Sequence, residues 1–219
     1  MLIVEIVFEF FSLLLRKLIK MQSENLHNAF HAGKIYKIIA IIMAFCLAIL
    51  VLFLAVNLVE KKVFYPLRYK DEIVKYSTKY GLDENLIFSI VKCESSFNEN
   101  AISSKNAMGL MQITQPTADY IAQKLSVKNY DLFDIDTNLN FGCYYLSYLY
   151  KKFKNIDTVI VAYNAGEGNV SNWLKNENYS KDGISLNKIP FPETRSYLEE
   201  IKKTLAKYKK LYGNIVDKR

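Results

Sequence analysis

From Ile38 to Val56 the chain passes through nineteen apolar residues without a single charge. Nothing else in the sequence restricts its architecture so strongly. Wound as a helix at about 1.5 Å per residue, the run approaches the roughly 30 Å thickness of a hydrocarbon core. Asn57 breaks it and Leu58 and Val59 resume it, with Lys34 and Lys37 ahead and Lys61 and Lys62 behind. A helix buried in a globular core rarely stays uncharged for so long, so the sequence predicts a transmembrane helix over 35–59. A cleaved leader has a shorter apolar region, about 7–15 residues, followed by a small-residue cleavage site. Ala55-Val56-Asn57 is a poor site, which favours an uncleaved, single-pass anchor. Charge does not orient it: Arg16, Lys17, Lys20, Lys34 and Lys37 precede the span, and Lys61, Lys62, Arg68, Lys70, Lys75 and Lys79 follow it.

The run divides the chain into expected units: an N-terminal segment (1–34), the span (35–59), a linker (60–68), a folded domain (69–212) and a tail (213–219). The opening MLIVEIVFEFFSLLLRKLIK is apolar but holds Glu5 and Glu9. It reads equally as an interfacial amphipathic helix or as an over-extended start ahead of Met21. The net charge is +7, and residues 1–59 carry only five Lys/Arg against three Asp/Glu, so most of the excess lies beyond them. Such a balance suits any acidic partner. No run of basic residues interleaved with aromatics accompanies it, and nucleic acid is not expected as a partner.

Beyond the span, apolar spacing is helical throughout. Amphipathic stretches cover Tyr69 to Tyr80, Pro116 to Leu125, Leu139 to Phe153, Thr158 to Tyr163 and Thr194 to Tyr212. Asp131 to Asp136 reads as a loop, and no alternating strand pattern of useful length appears. The fold class is mainly α.

Chemistry concentrates between Glu94 and Gln112, ESSFNENAISSKNAMGLMQ. Gly81-Leu82-Asp83 marks a break and an N-cap, and Leu86, Ile87, Ile90 and Val91 form one apolar helical stripe. Glu94, four residues beyond Ile90, continues that stripe into the last turn. Burial and the negative end of the helix dipole both oppose its ionisation, so both raise its pKa. A carboxylic acid that keeps its proton near neutrality can act as a general acid. The plainer alternative is a glutamate marking where the helix turns out to water.

Two further blocks stand out. Ala162-Tyr163-Asn164-Ala165-Gly166-Glu167-Gly168 offers a flat phenol and an amide able to donate and accept, partners suited to an N-acetylated sugar. It reads equally as a Gly-rich helix end and turn. Ile189-Pro190-Phe191-Pro192-Glu193-Thr194-Arg195-Ser196-Tyr197 reads as a helix entry with a capping acid. Cysteines contribute no evident chemistry: Cys46 lies in the span, while Cys93 and Cys143 lack metal-ligand spacing. His27 and His31 both precede the span, which leaves no Cys/His nucleophile pair and no expected metal or cofactor. Cys93 and Cys143 could pair as a disulfide or stay free.

In order, these blocks resemble the soluble-type lytic transglycosylases, a goose-type-lysozyme-like group that acts on bacterial peptidoglycan. Their motif runs Glu-Ser-x-Phe/Trp-Asn-Pro, a serine, then Gly-Ala-x-Gly-Leu-Met-Gln. Glu94, Ser95, Phe97, Asn98, Ser103, Ala107, Gly109, Leu110, Met111 and Gln112 fall in register with it. Glu99 and Asn106 depart from the usual proline and glycine, and Glu167 stands where proline is frequent in the Ala-Tyr-Asn-Ala-Gly block. The Glu-Thr-Arg-x-Tyr block matches at Glu193 to Tyr197. The resemblance covers roughly Tyr69 to Tyr208. It implies a lysozyme-like helical domain with Glu94 as the lone catalytic acid/base. It also implies saccharide contacts from Ser103, Met111, Gln112, Tyr163, Asn164, Glu193 and Tyr197. The implied reaction cleaves the bond between N-acetylmuramic acid and N-acetylglucosamine and closes a 1,6-anhydro ring, with peptidoglycan as partner and the domain outside the cell membrane. A hydrolytic muramidase and a non-catalytic wall-binding component of an envelope-spanning assembly are the rival expectations.

Overall fold

The computed structural model describes residues 9–17, 29–213 and 215. It divides into two compact units, Met1–Phe64 and Tyr65–Arg219. The expected interfacial helix or alternative start at Met21 falls largely outside the described residues, of which only 9–17 are seen, as helix.

In the first unit one helix runs from Ala29 to Val59 and widens into a π-helical turn over Glu60–Phe64. Ile35–Phe64 is long and apolar enough to cross a membrane, and no residue of its most apolar stretch is buried among the described residues. Isoleucines, leucines and phenylalanines such as Ile41, Phe45 and Leu52 stand 65–69% exposed. A soluble helix would hide that surface, since each buried Leu, Ile or Phe side chain is worth about 1.5–3 kcal/mol. Asn57, the polar interruption, satisfies itself by donating to the Phe53 carbonyl at 2.7 Å.

The second unit is built from helices α1 (Lys70–Tyr80), α2 (Glu84–Ser95), α3 (Gln115–Leu125), α4 (Ile135–Phe153), α5 (Ile156–Ala165), α6 (Glu167–Leu174) and α7 (Pro192–Tyr212). Only isolated bridges, Ile102 with Met108 and Met108 with Ile113, interrupt the helical pattern among the described residues. α2 is the axis. Its seven consecutive residues Asn85 to Val91 are all buried, because α7 and α1 pack along its sides. Two polar residues in that run make hydrogen bonds: the Ser89 hydroxyl donates to the Asn85 main-chain carbonyl at 2.6 Å, and the Asn85 side-chain amide donates to the Gly213 carbonyl at 3.0 Å. Asp83 caps the helix by accepting from the Asn85 amide at 2.9 Å.

Start and end of this unit are fastened together. The Tyr208 hydroxyl donates to the Pro66 carbonyl at 3.0 Å, and the Tyr212 hydroxyl to the Tyr65 carbonyl at 2.7 Å. Tyr65 also meets the Tyr208 ring edge-on at 5.5 Å. Tyr65 and Pro66, expected as linker, are thus packed into the domain, and so is Ile215, expected in the tail and only 1% exposed. The start of α4 also differs from expectation. Asp134 accepts from the Thr137 amide at 2.8 Å and caps a helix beginning at Ile135, where the sequence suggested a loop reaching Asp136. α6 replaces an expected turn, since Gly168, Asn169 and Asn172 give it little helical propensity of its own.

Two glycines separate backbone strain from crowding. Gly81 (φ +66°) ends α1 with open space around it. A Cβ on Gly109 (φ +75°) would lie 2.2 Å from the Asn138 amide nitrogen and 2.4 Å from the Leu132 carbonyl oxygen. Gly81→Ala is expected to cost about 1 kcal/mol, the left-handed penalty alone. Gly109→Ala should cost roughly 2–4 kcal/mol, because overpacking adds to it. Thermal unfolding of both variants checks the ranking, and equal losses would contradict it.

Candidate active site

Glu94 occupies the last turn of α2, where the helix stops because Ser96 and Phe97 both adopt left-handed conformations (φ 52° and 63°). Two such residues in succession reverse the chain. Phe97 remains 2% exposed and its ring meets Phe88 at 6.2 Å, so core packing holds this costly turn in place. Ser95 fastens the returning segment, its hydroxyl donating to the Leu110 carbonyl at 2.9 Å.

The returning Gly109–Gln112 turn is organised by Asn138 of α4. Its side-chain oxygen accepts from the Met111 amide at 2.8 Å, and its nitrogen donates to the carbonyls of Leu132 (2.8 Å) and Met108 (3.0 Å). Gln112, itself left-handed (φ 48°), donates its side-chain amide to the Ala101 and Gly109 carbonyls at 3.1 and 2.9 Å. The Ser103 hydroxyl oxygen accepts from the Ala107 amide at 3.0 Å, closing the loop ahead of the turn.

The other two blocks arrive from α5 and α7. Tyr163 donates its hydroxyl to the Met111 carbonyl at 2.7 Å. Asn164 accepts from the Thr194 hydroxyl at 2.7 Å, tying the end of α5 to the start of α7. One turn along α7, Tyr197 donates to Glu94 Oε1 at 2.6 Å. Burial pushes the Glu94 carboxyl up to about 7, against the smaller opposing effect of the Tyr197 hydrogen bond. The phenols of Tyr163 and Tyr197 are raised well above their ordinary value, first by burial and then by the Glu94 charge. The site therefore disfavours charge, with one largely buried carboxyl at its centre.

Of the residues expected from the sequence, Glu94, Tyr197, Tyr163 and Asn164 gather here. Ser103 and Gln112 shape the loop through the bonds just described. Met111 takes part by its backbone: its side chain is fully buried and lies against α4, where a Cβ on Gly142 would come within 2.2 Å of its sulfur. Glu193 is exposed and 3.4 Å from Lys105, and makes no contact with Glu94 among the described residues. Asn138 and Thr194 were not singled out from the sequence. Asn138 had a usable signal, being a polar residue on the stripe that continues through Phe141, Gly142, Tyr145 and Leu149. Among the described residues no group of three or more His, Cys, Asp or Glu is placed to hold a metal. Cys93 and Cys143 are both free. Cys93 faces Thr204 at 3.7 Å, and burial pushes its thiol up to about 11.

Residues 71–185 match the family model described as the Transglycosylase SLT domain. Similar curated proteins include the soluble lytic murein transglycosylase of Escherichia coli, 34% identical over 68% of this chain and 24% of that protein. Membrane-bound lytic murein transglycosylase C of Photorhabdus laumondii is 40% identical over 47% of this chain and 32% of that protein. The chain thus spans about a quarter to a third of the length of these relatives. Among solved structures, the 70 kDa soluble lytic transglycosylase of Escherichia coli superposes with a TM-score of 0.60 at 32% identity, covering 68% of this chain and 25% of that one. The same enzyme has been solved in complex with bulgecin A. An inactive glutamate-to-glutamine mutant of the Pseudomonas aeruginosa enzyme gives the same TM-score at 29% identity, over 71% of this chain and 26% of that one.

A carboxyl held near 7 in the folded protein and near 4.5 in the unfolded chain burdens the native state when ionised. The protein loses stability as pH rises through that window and regains it on acidification. Glu94→Gln removes the charge, so its stability relative to the natural protein should increase from pH 4 to pH 8, by on the order of 2–3 kcal/mol. Denaturant unfolding across pH measures this. A difference that stays flat with pH would contradict the burial of the carboxyl.

Proposed function

The chain belongs to the Transglycosylase SLT family, and from that premise we propose that it is a membrane-anchored lytic transglycosylase acting on peptidoglycan. The observation that carries this reading is the state of Glu94: pushed up to about 7 by burial, so that a substantial share keeps its proton near neutral pH, and hydrogen-bonded to Tyr197, with no neighbouring carboxylate contributing to the shift. Most glycosidases flank the bond with two carboxyl groups. A site with one suits a reaction in which the substrate supplies the second group.

In the proposed reaction Glu94 donates its proton to the glycosidic oxygen as the bond from the N-acetylmuramic acid C1 breaks, and N-acetylglucosamine leaves with that proton. The resulting Glu94 carboxylate takes the proton of the muramoyl 6-hydroxyl while O6 bonds to C1. Water is neither consumed nor released, and Glu94 ends protonated as it began. Because nucleophile and electrophile belong to one sugar, the attack has a large effective concentration. Tyr197 holds the carboxyl in place, while Tyr163 and Asn164 are proposed to face the sugar amides. Ser103, Gln112 and the Met111 backbone are proposed to form the opposite wall, with Glu193 at the rim. The apolar helix is proposed to anchor the domain by a single pass, with the catalytic unit on the side where peptidoglycan lies.

Purified peptidoglycan treated with the full chain should release muropeptides ending in 1,6-anhydro-muramic acid, lighter by one water than reducing ends in mass spectra. Reducing ends instead would identify a hydrolase. Glu94→Gln should remove at least about 99% of turnover, since general-acid catalysis typically contributes 10²–10⁴-fold. The sign of the pH dependence follows from the need for a proton on Glu94: the free-enzyme rate should fall as pH rises through about 7. A rate that climbs from pH 7 to pH 9 would remove Glu94 from the role of acid.

A further inference from the structure

A row of half-buried tyrosines leaves the Glu94 site along α4. Tyr163, bonded to the Met111 carbonyl, lies 5.9 Å from Tyr145. Tyr145 stacks on Tyr148 at 6.2 Å with an 18° interplanar angle, and Tyr148 meets Tyr120 of α3 at 5.8 Å. The row ends in charge. Tyr148 donates its hydroxyl to Glu167 Oε1 at 3.0 Å, and the Lys152 ammonium bonds the same oxygen. Glu167 Oε2 is left without a hydrogen-bond partner among the described residues, on a side chain 28% exposed, beside a lysine 39% exposed.

This arrangement has no obvious structural need. Glu167 is the first residue of α6, a position where proline serves equally well and where proline is frequent in the related motif. The preceding Gly166 takes φ +88° and ψ 142°, and that ψ lies in the range that a following proline demands. Nor is a partly exposed Lys–Glu pair a strong source of stability, at about 0–1 kcal/mol. With Lys124 over one face of Tyr120 at 5.4 Å and Tyr145 stacked on one face of Tyr148, the row offers the remaining aromatic surface next to a carboxylate oxygen with accepting capacity and an ammonium with donating capacity. That combination matches a pyranose, whose axial C–H face is apolar and whose rim carries hydroxyl and amide groups.

We propose that Tyr148, Tyr120, Lys152 and Glu167 form an additional saccharide subsite, which holds a sugar ring of the glycan strand beyond those at Glu94. The subsite rests on the reading of the Glu94 site as a glycan groove. It makes the domain favour longer strands, because a short oligomer spanning Glu94 does not reach the end of the tyrosine row.

The test uses the full chain in detergent micelles with Glu94→Gln in the background. Its probes are alternating N-acetylglucosamine–N-acetylmuramic acid oligomers, a tetrasaccharide and an octasaccharide, and the readout is calorimetric affinity. The octasaccharide should bind more tightly. Glu167→Pro and Tyr120→Ala should each cut its affinity by about tenfold, the scale of one aromatic or charge-assisted contact, and narrow the ratio between the two probes. An octasaccharide preference that survives both substitutions, or an equal loss for both probes, overturns the subsite. Absence of any saccharide binding overturns it too. Anhydro-product formation by the natural protein is scored separately: binding with length preference but no cleavage would leave the subsite standing and remove the proposed reaction.

Discussion

A carboxyl group at the end of a helix buried along its length is the condition on which the rest of the domain depends. α2 can be buried over seven successive residues only because α1 and α7 close around it. Glu94 inherits much of that burial one turn later, where Tyr197 is the only side chain among the described residues that hydrogen-bonds it. Desolvation keeps the proton on and the phenol holds the group in one orientation. The same burial burdens folding at alkaline pH, a usual conflict between stability and reactivity at sites where ionisation is suppressed.

Around that group the architecture is mostly backbone management. Left-handed residues at Ser96, Phe97, Gly109 and Gln112 fold the segment after α2 back on itself. Asn138 binds three main-chain groups of this region from α4, and Tyr163 binds a fourth from α5. Two helices thus clamp a segment with almost no regular structure. Chemistry carried on such a segment needs this support, because an unpaired buried peptide group costs as much as a lost hydrogen bond.

Much of this was legible in the sequence, for physical reasons. The uncharged apolar run and the helical stripes are periodic signals, and the Gly81-Leu82-Asp83 break is local cap chemistry; each is decided by neighbours in the chain. Glu94 could be read as a perturbed acid because its position on the apolar stripe already implied burial. Local sequence did not reveal α6, whose glycine and asparagines are overridden by the burial of Val170 and Trp173. The role of Asn138 was equally hidden, since its partners lie 6 to 30 residues away. Met111 fits the motif as a groove residue, yet its side chain fills the space that Gly142 leaves open. Only the packing of two distant segments could disclose that.

The tyrosine clasps between α7 and the residues after the apolar helix have an implication for evolutionary history. Tyr208 and Tyr212 bring the exit of the fold back to its entrance at Tyr65 and Pro66. A unit whose ends leave side by side can be spliced into a larger polypeptide, or mounted behind a lone apolar segment, with little disturbance to its interior. That portability fits the presence of similar sequence as about a quarter of a much longer enzyme in Escherichia coli.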